Sequence, residues 1–315
     1  MSIAIDIVDA AAIEAAAVEF AQGAGALLSR HFGNVISVEY KDKAQQDPVT
    51  AADKETQAYL VEQIARRFPT HGILGEEDDP TTADRDDRTA PDFLWVLDPL
   101  DGTTNFMNGL PVYASSIGVL HRGRPLVGAV YIPWPTETSS GVVVHGRTGG
   151  GAFADSEPVS VYQTEKPRGD RLIGIPGSFG ASTRVGKGLK GQPLGQPRVT
   201  GSIAYELAMT AMGVMQFAII GAPRMWDMLG GALAVQEAGG TVMTRLAGRK
   251  EWHTMDSLVP TWDEKPPTMA ELRKWVAPLV AANPTLAPLI AHNLHQRRRP
   301  IRRMVRRVKR ALGRR

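Results

Sequence analysis

Two aspartates three positions apart, Asp98 and Asp101, close the apolar run Phe93 to Leu97. A short apolar run bounded by a turn signal predicts a buried strand. Carboxylates at the end of such a strand are costly unless something positive holds them. A divalent cation is the simplest partner, and oxygen donors alone favour magnesium or calcium over zinc. Gly102 permits a sharp turn after the second aspartate, and Thr103, Thr104 and Asn105 are residues of turns and helix starts. The amides of Gly102 and Thr103 then face the same point, ready for an anion such as phosphate. Read alone, Asp98 to Gly102 is also compatible with an ordinary strand-to-turn exit.

Other segments bring acids to strand or helix ends. Glu76 and Glu77 follow a short strand predicted for 72–74. Asp53 opens a helix with the apolar stripe Tyr59, Leu60, Ile64 and Phe68, and Asp227 opens another that ends near Gly239 and Gly240. Taken singly, Asp53 reads as a helix-start acid and Asp227 as an acid facing a helix dipole. The elements that must position them are predicted in order. A helix spans 8–32 and a strand 36–40. Strands at 112–121, 125–133, 140–145 and 151–154 form hairpins. A strand at 171–175 and a weak helix near 182–188 follow, then a helix at 203–212 and strands at 215–220 and 241–243. Leu272, Trp275, Val276, Leu279 and Val280 predict one more helix, and Leu286, Leu289, Ile290 and Leu294 another beyond Pro284. Residues 78–92 read as a solvated acidic loop. The glycines at 149–151 lack the GxxxxGK[ST] pattern and read as a hairpin turn, not a phosphate loop.

The strings DPVTAAD (47–53), GEED (75–78), WVLDPLDGTTNFMNGLP (95–111) and WDMLGGALAVQEAGG (226–240) occur in this order within about residues 10–245. Together they resemble the inositol monophosphatase family of magnesium-dependent, lithium-sensitive phosphatases, which is grouped with fructose-1,6-bisphosphatases and nucleotide 3′-phosphatases. The resemblance implies an α+β fold, a layered α-β-α-β-α sandwich. It implies two or three magnesium ions. Glu76, Asp98 and the backbone carbonyl of Leu100 hold the first. Asp98, Asp101 and Asp227 hold the second, and Glu76 with water holds a looser third. A magnesium-activated water attacks, Glu76 or the Thr103–Asp53 pair takes its proton, and the amides of Gly102 and Thr103 grip phosphate. Lys41 is the candidate for the family's loop lysine, with a solvated lysine as the alternative. Gly201, Ser202 and Ile203 fall on the alcohol-binding wall, and Ile220 stands where inositol-binding members carry a glutamate. An isoleucine cannot accept hydroxyl hydrogen bonds, which weakens the case for inositol and leaves histidinol phosphate, sugar phosphates or a 3′-phosphoadenosine open. A homodimer is a further implication of the resemblance.

Composition sets the outer bounds. The chain has 315 residues, 43% hydrophobic and 22% charged, which suits a soluble globular protein with a full core. There is no cysteine, which excludes disulfides, thiolate metal sites and a cysteine nucleophile. No signal peptide and no stretch of eighteen apolar residues is legible, so the expected location is the cytoplasm. Eleven of the 36 Lys and Arg lie in 297–315 with no acid, and removing them leaves 25 bases against 33 acids, a net of −8. The expected organisation is a phosphatase core over 1–265, with halves at about 1–155 and 156–265, then a helical extension over 266–296 and a basic tail. Ile301, Met304, Val305, Val308 and Leu312 share one helical face in the tail, which suits an anionic membrane surface or nucleic acid. A disordered cationic tail is the alternative. A second class of function stays open, a scaffold with an inactive core that binds such a surface through its basic tail. The complete set of acids, with Thr103, favours a working enzyme on a small phosphorylated metabolite.

Overall fold

The computed structural model describes residues 7–34, 38–40, 48–78, 86–135, 139, 141–246 and 251–296. Lys41 and the tail 297–315 lie outside them.

A seven-stranded sheet forms the first half. Its strands lie in chain order: Gly72–Gly75, Phe93–Asp101, Ala114–His121, Arg124–Ile132, Val142–Arg147, Gly151–Ala154 and Glu157–Pro158. The first pair is parallel and the rest are antiparallel. Both faces are covered, which is why the strands are apolar almost throughout. Trp95 and Leu97 face the helices Ile7–His31 and Ala51–Arg67 on one side. Leu94 and Val96 face the other side, with the helices Ile203–Ala211 and Met225–Glu237. Each large side chain buried this way contributes roughly 1.5–3 kcal/mol.

The first helix is long and apolar enough over Ala10–His31 to cross a membrane, by length and composition only. The sequence reading expects no such stretch. The reason for its apolarity is packing: Ile13, Ala16, Ala17, Phe20, Ala24 and Leu28 are buried against the sheet.

Helix Met225–Glu237 sits unusually close to the sheet. A Cβ added at Gly128 would lie 2.3 Å from the Gly230 carbonyl oxygen, so no side chain fits between them. This backbone-to-backbone approach fixes the height of Asp227 above the sheet.

The second sheet has six strands in the order Gln196–Arg198, Leu172–Gly174, Met215–Ile220, Leu279–Ala282, Thr241–Thr244 and His253–Thr254. One face shares the core under the two helices, and the other packs on helix Leu286–His292. The layers therefore run α-β-α-β-α, as expected.

Four expectations are corrected. Leu279 and Val280 belong to a strand in the middle of this sheet, not to a helix, so 266–296 is not wholly helical. Helix Met269–Arg273 is only one turn and a half, opened by a Thr268–Glu271 capping box. Thr241–Thr244 is not the last core strand either, because Leu279–Ala282 pairs antiparallel to it. The weak helix near 182–188 is instead split: a four-residue helix at Phe179–Ser182, a strand at Thr183–Val185 that pairs with Leu294–Gln296, and a 3-10 turn at Lys187–Leu189. In the loop at 78–92, Ala90 is buried and its amide donates to the Pro267 carbonyl at 2.9 Å, so this part is packed, not solvated.

Candidate active site

The central strand Phe93–Asp101 carries the first two acids. Its register with the next strand shifts between Asp98, opposite Ser116, and Asp101, opposite Ala114. One extra residue on the central strand is a bulge, and a bulge re-aims side chains. Pro99, which has no amide to give a ladder, lies within it. The Asp98 side chain, 1% exposed, accepts from the Leu100 amide at 3.1 Å. The amide of Glu76 donates to the Leu97 carbonyl at 3.0 Å, which extends the parallel pairing and sets Glu76 beside Asp98.

Asp227 lies in the first turn of helix Met225–Glu237 and accepts from the Arg224 amide at 2.7 Å. The outcome is a convergence of three distant segments: oxygens of Glu76, Asp98 and Asp227 lie within 4.8 Å of one another. Asp101 stands next to them, and one of its oxygens accepts from the Ser202 hydroxyl at 2.8 Å and the Ala204 amide at 2.5 Å. It thereby ties the end of the first sheet to the start of helix Ile203–Ala211.

The electrostatics follow from this crowding. Burial pushes the Asp98 carboxyl well up, and the charges of Glu76, Asp101 and Asp227 push it further. Asp101 is raised well above the ordinary range by burial first and then by Asp227, against the bonds from Ala204 and Ser202. Burial raises Asp227 to about 7 despite the bond from Arg224. Such a group of oxygens holds its charge only with a cation among them. The donor set is all oxygen, from carboxylates and nearby carbonyls, and so fits a hard divalent ion.

Thr103 and Asp53 meet as the sequence suggests. The Thr103 hydroxyl lies 3.2 Å from Asp53 Oδ1 and 3.0 Å from the Leu100 carbonyl, the two acceptors for its single proton. Asp53 is held by its neighbour Thr50, whose amide donates to Oδ2 at 2.8 Å and whose hydroxyl donates at 2.5 Å. Burial raises the Asp53 carboxyl, opposed by the bonds from Thr50 and Thr103. Gly102 precedes the short helix Thr103–Met107 with φ of 95°, a left-handed conformation that favours glycine. A Cβ there would also lie 3.0 Å from the Val112 carbonyl oxygen.

Gly201, Ser202, Ile203 and Ile220 line a cavity of about 520 Å³. The three clustered carboxylates are not on its wall; its link to the site is Ser202, which bonds Asp101. Ser202 itself is buried and caps its helix while bonding to Asp101, so its hydroxyl is committed inside the protein. The lining also includes Arg245, whose guanidinium lies 5.3 Å over the Trp252 ring, and His295.

Glu206 also lines the cavity, accepting from the Thr200 hydroxyl at 2.8 Å, and burial raises its carboxyl to about 7. The folded protein thus holds this proton more tightly than the unfolded chain, whose ordinary value is 4.5. Its contribution to stability is full below the ordinary value and is lost as pH rises through about 7. At about 1.36 kcal/mol for each pH unit between the two values, the loss is on the order of 3 kcal/mol. Glu206→Gln, which keeps the acceptor for Thr200, is therefore expected to melt above wild type at pH 8 and close to it at pH 5. Equal melting temperatures at pH 8 would contradict this.

Two positioning residues were not singled out in the sequence. Asn105 donates to the Val112 carbonyl at 2.6 Å and the Thr200 carbonyl at 2.7 Å, joining the turn after Asp101 to the Gly201 loop. Its place in the DGTTN string is the one available signal. Arg273 bonds the carbonyls around Glu76, and nothing in the local pattern marks it.

The chain is a layered α+β sandwich in which acids from three segments meet at the mouth of its first sheet. The chain belongs to the inositol monophosphatase family, whose model matches residues 9–296. It is 32% identical over 226 residues to the fructose-1,6-bisphosphatase/inositol-1-monophosphatase of Thermotoga maritima, a match spanning 72% of this chain and 82% of that one. It is 34% identical to the Nus factor SuhB of Escherichia coli strain K12, again over 72% and 82%. Among solved structures, the suhB protein of Bartonella henselae superposes with a TM-score of 0.67, covering 90% of this chain and 98% of the other. The IMPase of Thermotoga maritima gives 0.65 over 87% and 93%. Both are 24% identical and speak for the fold alone.

Proposed function

We propose that the protein is a magnesium-dependent phosphomonoesterase acting on a small phosphorylated metabolite. The observation that carries this reading is the convergence of Glu76 and Asp227 on the buried Asp98, with oxygens within 4.8 Å of one another. In this reading Glu76, Asp98 and the Leu100 carbonyl would hold one ion, and Asp98, Asp101 and Asp227 a second. A third, looser ion would use Glu76. Bound there, magnesium would neutralise charge on the transferring phosphoryl group and acidify the attacking water. The Thr103 hydroxyl would take that proton while giving its own to Asp53 Oδ1, 3.2 Å away. The amides of Gly102 and Thr103 face phosphate oxygens. The cavity beyond Ser202 takes the alcohol.

Ile203 and Ile220 give that cavity apolar walls. A polyhydroxylated ring would leave hydroxyls unpaired against them, a cost of about 1–3 kcal/mol each. The walls favour a leaving group with an apolar or planar face, as in histidinol phosphate or a phosphorylated nucleoside, over inositol. The test is a panel of phosphate monoesters assayed with and without magnesium. Magnesium-dependent release of phosphate, faster from the planar members than from inositol phosphate, supports the reading. Absence of any magnesium-dependent release refutes it.

The likeness to a protein named a Nus factor and the eleven bases of 297–315 favour a second reading, in which the chain also binds an anionic polymer or surface. Removal of residues 297–315 that abolishes RNA and anionic-liposome binding while sparing hydrolysis would support it.

A further inference from the structure

Arg273 ends the short helix Met269–Arg273 and is 7% exposed. Burying a guanidinium is costly unless its donors are satisfied. Here one nitrogen donates to the Gly75 carbonyl at 2.7 Å and reaches Asp78 Oδ2 at 3.4 Å. The other terminal nitrogen donates to the Glu76 carbonyl at 2.9 Å and to the Asp78 carbonyl at 3.0 Å. One side chain thus gathers three main-chain carbonyls of the turn that carries Glu76. Asp78 closes the same turn by accepting from the Gly75 amide at 2.9 Å.

The guanidinium also lies 5.3 Å over the ring of Trp226, the residue before Asp227. Arg273 therefore stands between the turn bearing one acid of the cluster and the helix start bearing another. Its own segment is firmly seated. Thr89 bridges Thr268, the Met269 amide donates to the Arg88 carbonyl at 3.0 Å, and the Ala270 amide donates to the Asp86 carbonyl at 3.0 Å. A planar fork with five donors can hold several carbonyls in one fixed geometry, which a lysine ammonium cannot. Like charges at Glu76, Asp98 and Asp227 repel one another before any cation arrives. A fixed positive group behind the Glu76 turn opposes that spreading.

We propose that Arg273 is a positioning residue for the acid cluster: it sets the separation of Glu76 from Asp227 by clamping the 75–78 turn against Trp226. The proposal rests on the reading of these acids as metal ligands. The segment around 269–273 thereby acts on the affinity of the site for its cation without touching substrate.

The test is Mn²⁺ binding, followed by electron paramagnetic resonance on the full chain, for wild type, Asp98→Asn, Arg273→Lys and Arg273→Ala. Melting of the metal-free proteins is measured alongside. Groups that orient metal ligands typically change affinity by about 10–100-fold when removed. Both Arg273 variants are expected to fold and to bind Mn²⁺ that much more weakly. The magnesium needed for half-maximal activity should rise in proportion, with turnover at saturating magnesium within about threefold of wild type. Wild-type Mn²⁺ affinity in a folded Arg273 variant would overturn the proposal. Failure of both variants to fold would assign Arg273 to the scaffold and overturn it as well. If wild type binds no Mn²⁺, the metal reading itself fails and the proposal falls with it. If wild type binds and only Asp98→Asn is impaired, the metal reading stands and the role of Arg273 does not.

Discussion

Asp98→Asn is expected to abolish magnesium-dependent hydrolysis and, in the absence of metal, to stabilise the fold. The two effects share one cause. Asp98 is fully enclosed and crowded by Glu76, Asp101 and Asp227, so its charge is tolerable only beside a cation. Asparagine keeps the size and the acceptor for the Leu100 amide but removes the charge that a shared metal requires. Loss of several kcal/mol of charge stabilisation in the transition state lowers turnover by about 10³-fold or more. The sign of the stability effect follows from linkage. A carboxyl raised in the folded state contributes stability at low pH that is lost as pH rises through its folded value. The metal-free wild type should therefore melt lower at pH 8 than at pH 5. The asparagine variant should lose less over the same interval, and magnesium should restore the wild type by mass action. Thermal melts at both pH values, with and without magnesium, read all of this. A metal-free Asp98→Asn that melts below wild type at pH 8 would contradict the electrostatic account even if activity were lost.

Thr103→Val is expected to reduce turnover by about 10²–10⁴-fold, the range for a positioned proton-transfer group. Valine has nearly the shape of threonine but cannot bridge Asp53 at 3.2 Å and the Leu100 carbonyl at 3.0 Å. Because Thr103 is read here as relaying a proton rather than holding the cation, Mn²⁺ affinity should stay within about threefold of wild type, against the 10–100-fold expected of residues that orient ligands. Thr103→Ser should recover most of the turnover. Near-wild-type turnover in the valine variant would remove the Thr103–Asp53 pair from the mechanism.

Much of the site could be read from local pattern. The run Phe93 to Leu97 is buried because its alternate residues serve two different cores, and its acids follow at the bulge where pairing slips. Gly102 is legible because the turn after Asp101 demands a left-handed residue. The strand Leu279–Ala282 was not legible. Four apolar residues between short helices fit a helical spacing as well as a strand, and its partners lie far away in the chain at Met215–Ile220 and Thr241–Thr244. Ser202 lines the cavity, and its hydroxyl also caps a helix and donates to Asp101, a commitment visible only when both halves of the chain are assembled. Arg273 is the extreme case, since its partners lie about two hundred residues earlier.

Diffraction from crystals soaked in Mn²⁺, with data collected at its absorption edge, tests the central claim most directly. The anomalous map should show density among Glu76, Asp98 and Asp227, with peaks at about 2.0–2.3 Å from carboxylate oxygens, one on Glu76 and Asp98 and one on Asp98, Asp101 and Asp227, the spacing of hard divalent ions on carboxylates. Well-ordered crystals in which Mn²⁺ is found elsewhere, with these three side chains in place and no anomalous density among them, would contradict it.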